Sequence, residues 1–449
     1  MTLELSTTAP ARRSTRHTVD AALPSSEALE VVTPEVAIVG LGYVGLPTAL
    51  AYFHAGRRVL GLDVSTARLE TIRSGGADLL STDRDRLETA LKDPTFELTD
   101  DASRLAEASA VIISVPTPVD DHLVPDLAIL QSACETVVAN AMPGQLIILT
   151  STTYVGCTQD LIVGPLEERG FVIGEDIFVA FSPERIDPGN GSVEHEDVPR
   201  VVGGATLLCE VHAARVLSWY VGKVHRVHSL AAAEMTKLLE NTFRAVNIAL
   251  ANEFADICAA LDIPVTEVID AAATKPYGFM RFLPGPGVGG HCIPCDPHYL
   301  LWQLRRDRVN APLITQAMNE IAERPGRIVD RARRVLSDAG TGVAGARVLV
   351  VGVAYKPDVA DLRESPALEI LELLGASGAS VGYLDPLFPT VRLADGSVLE
   401  SVADPAAFDP ELVLVHTRHS ALDLSWIGPD RAVLDASYRE TSLPQRVLP

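Results

Sequence analysis

Glu35-Val36-Ala37-Ile38-Val39-Gly40-Leu41-Gly42-Tyr43-Val44-Gly45 decides how this chain begins to fold. Val36 to Val39 is a short apolar run suited to a buried parallel strand. The glycines after it are spaced G-x-G-x-x-G, and Leu46 to Ala55 can form a helix. That is the strand–turn–helix context a dinucleotide site requires. Gly40 permits the tight turn, Gly42 lets a pyrophosphate approach the backbone, and Gly45 packs helix on strand. The phosphate then meets the helix N-terminus. Arg58 to Asp63 is the next strand, and its terminal acid has the spacing of a ribose-binding carboxylate. Asp63 favours NAD over NADP, because a carboxylate repels a 2′-phosphate. Tyr43, Val44 and Arg68 border the turn and the acid and join them as candidate cofactor contacts.

Further strands are expected at 110–115, 146–149 and 177–181, alternating with helices in a doubly wound sheet. Ligands bind such sheets at the strand C-termini. Pro116, Thr117, Ser151, Thr152 and Thr153 all lie there, as does the run Ser182-Pro183-Glu184-Arg185 continuing to Asn190. Ordinary cap and loop chemistry is the competing account of the hydroxyls.

The chain has 449 residues, enough for two or three domains. Its 59 acidic against 37 basic residues give a net charge of -22, which argues against nucleic-acid or anionic-membrane partners but not against a local anion pocket. No apolar run approaches the ~20 residues that span a bilayer. Six cysteines in such a length make no disulfide scaffold, so a cytoplasmic location is expected. Residues 1–33, rich in Ser, Thr, Ala and Pro, read as a flexible tail.

From Ala231 to Leu261 the pattern is helical without Gly or Pro. Lys237 and Asn241 are four apart, one turn from each other on one face. Either they hold a developing oxyanion or they belong to a solvated polar stripe. The apolar remainder is broad enough to bridge domains and to bury a face against a second subunit. Pro284-Gly285-Pro286-Gly287-Val288-Gly289-Gly290 then leads into His291-Cys292-Ile293-Pro294-Cys295-Asp296, and so dense a Gly/Pro run is expected to be an irregular turn. A thiol on such a turn is either a nucleophile or a small buried apolar residue. Zinc at this C-x-x-C would have to recruit His291 or His298, and no metal is expected. Cys295 reads as a bystander or as the partner of a reversible disulfide.

Ala346 to Val351 followed by Gly352 repeats the opening of the first domain, and Ser380 to Asp385 again ends in an acid. This is a second nucleotide-binding-like domain with a degenerate phosphate loop. Lys356, Asp361, Arg363, Glu364 and Ser365 follow its first strand, either as an anion-docking loop or as a surface charge cluster. The fold class is therefore α/β: two Rossmann-like doubly wound domains joined by a long central helix and a helical middle domain. The expected divisions are 34–210, 211–335 and 336–449.

In this order the motifs resemble those of the UDP-glucose/GDP-mannose dehydrogenase family, the nucleotide-sugar 6-dehydrogenases. The resemblance is carried by Gly40 to Pro47, Glu234 to Asn241, Gly289-Gly290-His291-Cys292 with Asp296, and Lys356-Pro357-Asp358 with Arg363-Glu364-Ser365-Pro366. Ser182 to Asn190 and Phe279-Met280 look most like the UDP-N-acetylglucosamine branch. The UDP-glucose branch typically has Ser where His291 stands and Lys before the aspartate, where this chain has Cys295. The resemblance implies NAD as cofactor, a UDP-sugar as substrate and a homodimer through the central helix. It implies a four-electron oxidation of the sugar C6 alcohol through a thiohemiacetal and a thioester on Cys292. Lys237 and Asn241 would stabilise the oxyanion, Asp296 with Thr152 or Thr153 would activate water, and Glu184 would be a further acid-base group. Arg185, Arg244, Phe282, Gly289, Tyr355, Lys356 and Arg363, together with Glu184, Lys237 and Asn241, would line the sugar nucleotide. UDP-N-acetylglucosamine leads as substrate, ahead of UDP-N-acetylmannosamine and UDP-glucose. The competing class is an NAD-retaining nucleotide-sugar epimerase, which would release no net NADH and need no thiol.

Overall fold

The structure, a computed structural model, describes residues 36–77, 79, 81–120, 122–185, 195–290, 292–440, 442–443 and 446–449. The expectations for the N-terminal tail, for Ile186 to Asn190 and for His291 lie outside the described residues.

Strand β1 (Val36–Val39) is buried on both sides and forms the centre of the first sheet. Its neighbours are β2 (Val59–Leu62), reached through helix α1 (Gly45–His54), and β4 (Ala110–Ile113). Between those two lie α2 (Thr66–Arg73), α3 (Ser81–Ala90) and β3 (Phe96–Thr99). Beyond β4 come α4 (Ala128–Asn140), β5 (Leu146–Leu149), α5 (Gly164–Glu168) and β6 (Phe178–Phe181). The strand order β3-β2-β1-β4-β5-β6 is that of a dinucleotide-binding sheet. Apolar clusters cover both faces, and this is why these strands read as continuous rather than alternating apolar runs.

Two strands follow that the sequence did not signal. β7 (Arg200–Gly204) pairs antiparallel with β6, and after α6 (Leu207–Leu217) β8 (Val224–Val227) pairs parallel with β7. The first sheet thus runs to Val227, and the expected boundary at residue 210 falls inside α6. Val-His-Arg-Val at the sheet edge is half polar, so it carries too little apolar signal to stand out.

Helix α7 (Leu230–Ala260) is as long as expected and is capped by Ser229, whose Oγ accepts from the Ala232 N–H at 3.1 Å. α8 (Val265–Ala273) follows. The Gly/Pro run over 284–290 is irregular as expected, but helix α9 (Cys292–Asp307) begins at the cysteine itself, so the thiol heads a helix rather than sitting on the turn. Pro294 lies in the first turn, where its missing N–H costs nothing; Pro297 lies inside the helix and forfeits one hydrogen bond. α9 and α10 (Pro312–Asp338) both pack on α7. Arg324 of α10 is buried at the junction: it pairs with Asp256 of α7 at 2.7 Å, donates to the Gly285 carbonyl at 3.0 Å and to the Tyr438 hydroxyl at 2.9 Å.

The last unit is built on β9 (Arg347–Val351), α11 (Pro366–Ala376), β10 (Ser380–Leu384), the small hairpin of β11 (Thr390–Arg392) and β12 (Val398–Glu400), α12 (Pro405–Phe408), β13 (Leu412–Val415) and β14 (Ala432–Asp435). Its sheet, in the order β10-β9-β13-β14, is parallel throughout. Two Rossmann-like sheets with a helical region between them are what the sequence predicts. No helix among the described residues is long and apolar enough to cross a membrane.

Candidate active site

The glycine turn after β1 has the features a dinucleotide needs. Gly40 has φ +89°, and a Cβ there would meet the Ser114 carbonyl oxygen at 2.4 Å. A Cβ on Gly45 would lie 1.8 Å from the Gly40 carbonyl oxygen, so no other residue lets α1 start so close to β1. Gly42 faces open space, with nothing within 4 Å of where a Cβ would be. No side chain caps the α1 N-terminus; the Leu46 N–H donates to the Gly42 carbonyl at 3.2 Å and Pro47 has no N–H to satisfy, while the helix dipole still favours an anion at this end. Asp63 accepts from the Leu41 N–H at 2.8 Å and the Ser65 N–H at 2.9 Å, and Arg68 Nε donates to the Leu41 carbonyl at 2.9 Å. Acid and arginine thus brace the turn from the sheet side. These residues fit NAD. Pro116 is exposed and Thr117 buried at the end of β4, and Val44 sits at the head of α1. Ser151 has a structural task as well: its hydroxyl donates to the Val115 carbonyl at 2.7 Å and accepts from the Val115 N–H at 2.9 Å.

Cys292 stands at the head of α9. It reaches solvent, yet many protein atoms lie around it. Those surroundings push its thiol pKa up, and Asp296 adds to the rise; Lys237, Arg363 and Arg244 pull the other way. One turn on, Asp296 is buried, 2% exposed, and accepts hydrogen bonds from Asn241 Nδ2 and from Thr152. Burial lifts its pKa to about 6, against the pull of Lys237, Asn241 and Thr152. A carboxylate held near neutrality takes up and releases protons readily. Lys237 and Asn241 are both buried, 7% and 9% exposed, which removes the solvated-stripe account of them. Lys237 Nζ donates to the Glu184 carbonyl at 2.7 Å, and Asn241 faces Asp296.

Glu184 is held by a residue the sequence did not single out. Arg200 of β7, 2% exposed, pairs with its carboxylate at 2.7 Å and donates to the Tyr220 hydroxyl at 2.8 Å. Arg185 is ion-paired with Glu240 of α7, and its guanidinium also donates to the Pro199 carbonyl at 2.8 Å. Arg244 is exposed on α7, and Phe282 meets Phe243 edge-on, with centroids 6.0 Å apart.

The final unit reaches into the same region. A Cβ on Gly289 would sit 2.5 Å from Tyr355 Cβ and 2.7 Å from the Glu364 carbonyl oxygen, so this part of the thiol turn is pressed flat against the loop after β9. The Gly290 N–H donates to the Arg363 carbonyl at 2.9 Å. The Arg363 guanidinium pairs with Asp361 at 2.7 Å and lies 4.7 Å over the ring of Tyr43 on the glycine turn. Lys356 is half-buried on the same loop. Cys295 is 3% exposed, and its sulfur accepts from the Val119 N–H. Neither Arg200 nor the clasp described below could be found from local pattern, because each acts across a long stretch of chain.

Three models of the UDP-glucose/GDP-mannose dehydrogenase family match the chain: the NAD binding domain over 34–220, the central domain over 231–321 and the UDP binding domain over 349–436. Protein CapL of Staphylococcus aureus is 38% identical over 353 residues, covering 78% of this chain and 81% of that protein. A UDP-N-acetyl-D-mannosamine dehydrogenase of Escherichia coli strain K12 is 35% identical, covering 76% and 82%. A UDP-N-acetyl-D-glucosamine 6-dehydrogenase of Pseudomonas aeruginosa is 35% identical, covering 78% and 82%. Among solved structures, a UDP-D-ManNAc dehydrogenase from Pyrococcus horikoshii aligns with a TM-score of 0.83 at 30% identity, over 92% of this chain and 98% of that one.

Proposed function

The chain belongs to the UDP-glucose/GDP-mannose dehydrogenase family, an NAD-dependent family of UDP-sugar oxidoreductases, and from that premise we propose that it oxidises the C6 alcohol of a UDP-N-acetylhexosamine to the carboxylate through Cys292. The observation that carries this reading is the cluster at the head of α9: a thiol, with a buried carboxyl one turn away that is bonded to both Asn241 and Thr152.

Gly40, Gly42, Tyr43, Val44, Gly45, Asp63, Arg68, Pro116, Thr117, Ser151 and Thr152 would hold NAD+, which would accept one hydride in each oxidation, a fresh NAD+ being bound for the second. The Cys292 sulfur adds to the C6 aldehyde, so that the aldehyde cannot escape between them. The resulting thiohemiacetal becomes a thioester on oxidation. Lys237, already donating at 2.7 Å to the Glu184 carbonyl, stands ready to donate to the C6 oxygen as charge develops there. Asn241 steers Asp296, which draws a proton from water as the water oxygen bonds to C6 and the C6–sulfur bond breaks. Glu184, its carboxylate paired with Arg200, orients the sugar hydroxyl as an acceptor. Arg185, Arg244, Phe282, Gly289, Tyr355, Lys356 and Arg363 form the remaining wall for the UDP-sugar.

UDP-N-acetylglucosamine is the first assignment, supported by the motifs at 182–190 and 279–280. UDP-N-acetylmannosamine is the second, favoured by the names of the Escherichia coli and Pyrococcus horikoshii relatives. The NAD unit is taken to Val227, the helical region from Leu230 to Asp338 and the UDP-sugar unit from Arg347. We also propose a homodimer along α7, whose exposed stripe of Met235, Leu239, Phe243, Leu250, Phe254 and Ile257 leaves 40–63% of each side chain open. Substrate and cofactor are both soluble nucleotides, which suits a cytoplasmic enzyme.

The test is NADH release from a panel of UDP-sugars, with stoichiometry, beside Cys292→Ala. Two NADH per sugar and a turnover loss of at least about a thousandfold are expected. Full conversion by the alanine variant, or no net NADH from any sugar, overturns the reading.

A further inference from the structure

Helix α9 does more than carry the thiol and the acid. Cys292, Asp296, Tyr299 and Gln303 recur at helical spacing along one side of it. The last three are tied to loops at the ends of strands of the first sheet. The Tyr299 hydroxyl donates to the Pro118 carbonyl at 3.4 Å, in the loop after β4. Gln303 clasps the loop after β5: its Oε1 accepts from the Val155 N–H at 3.0 Å, and its Nε2 donates to the Val155 carbonyl at 2.7 Å. A side-chain amide that meets both polar atoms of one backbone residue fixes position and orientation together. Flipping the amide would set donor against donor.

The loop it clasps is anchored elsewhere too. Glu234 of α7, 1% exposed, accepts from the Gly156 N–H at 2.6 Å and from the Thr158 N–H and hydroxyl at 2.9 and 2.7 Å. Tyr154 meets Trp302, the neighbour of Gln303, edge-on at 5.7 Å. At the near end of this segment sits Thr152, whose hydroxyl is bonded to Asp296. α9 and the loop therefore meet three times, at Asp296 with Thr152, at Trp302 with Tyr154 and at Gln303 with Val155.

We propose that Gln303 is a positioning residue for the hydrolytic half of the reaction: its clasp on Val155 sets the register between α9 and the β5 loop, and so keeps Thr152 on Asp296. The inference rests on the thioester reading above. In that step the water oxygen bonds to C6, the C6–sulfur bond breaks, and one water proton passes through Asp296 to the departing sulfur. The other proton leaves with the carboxylic acid. A loop shifted by a fraction of an ångström leaves the hydride steps intact and slows this one, because the water needs Asp296 and Thr152 together.

Full-length Gln303→Leu and Gln303→Glu test it, with Thr152→Val and Cys292→Ser alongside. Stopped-flow NADH release, steady-state kcat and both KM values, and intact-protein mass after quenching are the readouts. For Gln303→Leu the first burst of NADH and both KM values should match wild type. Its steady-state rate should fall roughly tenfold to a hundredfold, and a sugar acyl mass should accumulate on Cys292. Gln303→Glu keeps the acceptor for the Val155 N–H but not the donor, and should fall between. Thr152→Val, which also removes an NAD contact, should accumulate the same adduct, with the double variant at saturating NAD no slower than the slower single. Burst and steady state falling together, a risen KM for NAD without adduct, or multiplying effects in the double variant would overturn the proposal. Should Gln303→Leu not fold, a Gln303→Glu enzyme with wild-type turnover overturns it alone. An adduct in Thr152→Val but not in Gln303→Leu sinks only the role of Gln303; full turnover in Cys292→Ser sinks the thioester reading beneath it.

Discussion

Gly40 and Gly352 close the first strands of two α/β units, and the two closures can be laid over each other bond by bond. The Gly40 N–H donates to the Leu62 carbonyl at 2.8 Å, and the Gly352 N–H to the Leu384 carbonyl at 2.8 Å. Both glycines have positive φ, +89° and +76°, and in both a Cβ would strike a backbone oxygen beyond the neighbouring strand, Ser114 in one case and Thr417 in the other. In each the next N–H turns to the acid ending the second strand: Leu41 to Asp63 at 2.8 Å, Val353 to Asp385 at 2.7 Å. Then they diverge. The first turn enters a helix at Gly45, with Asp63 half-buried and open space at Gly42. The second runs on as a loop to Ser365, and its acid is sealed: Asp385 is 4% exposed and meets His419, itself 1% exposed, at 3.1 Å. Hence the strand–glycine–acid unit is a backbone solution in its own right, and it accepts a dinucleotide only where the acid stays open and a helix begins at once.

The largest effects should come from filling the glycines. Gly45→Ala puts a methyl 1.8 Å from the Gly40 carbonyl oxygen and should weaken NAD binding by roughly 3 kcal/mol or more, over a hundredfold. Gly352→Ala meets the Thr417 carbonyl oxygen at the same 1.8 Å, but should lower the melting temperature and leave the NAD dissociation constant of the folded protein alone. Isothermal titration beside a thermal melt separates them, and a raised NAD constant in Gly352→Ala would break the distinction.

Next come the acids. Asp63→Asn should weaken NAD binding about tenfold, the worth of one charged hydrogen bond, whereas Asp385→Asn should cost stability only. Burial would push the Asp385 carboxyl up, but His419 and the N–H groups of Val353 and Leu387 hold it below the ordinary carboxylate range. A depressed carboxyl stabilises the fold above its unfolded pKa, and that stability is lost as the pH falls below about 4. Urea midpoints between pH 5 and 3 should therefore drop more steeply for wild type than for Asp385→Asn; parallel slopes would refute it.

The smallest effect sharpens the contact between the two units. A double-mutant cycle of Tyr43→Leu and Arg363→Met, read by thermal stability, should give a coupling of about 0.5–1 kcal/mol. Zero coupling would mean that the units merely touch there.

Both halves of this comparison were legible in the sequence, because glycine spacing and terminal acids are local patterns. So were the thiol, Asp296 and the Lys237–Asn241 pair, four residues apart. Whether that pair faced water or the site was not legible, since it is buried only by tertiary packing, of Lys237 on Glu184 after β6 and of Asn241 on Asp296 of α9. The helix beginning at Cys292 was hidden by Pro294 and Pro297, which argue against helix locally and are outweighed by packing. Arg200 on Glu184 and Gln303 on Val155 bridge distant segments and leave no periodic trace. Arg363 was legible as a cation near the nucleotide-sugar unit, but not its place over Tyr43.

Arg324 gives the junction a consequence in time. Its guanidinium joins Asp256, the Gly285 carbonyl before the thiol turn, and Tyr438. During synthesis the sulfur at position 292 leaves the ribosome long before Tyr438 is made. The frame around it is finished only once that tyrosine arrives, so the nascent polypeptide carries this thiol in an unassembled setting until residue 438 has been added.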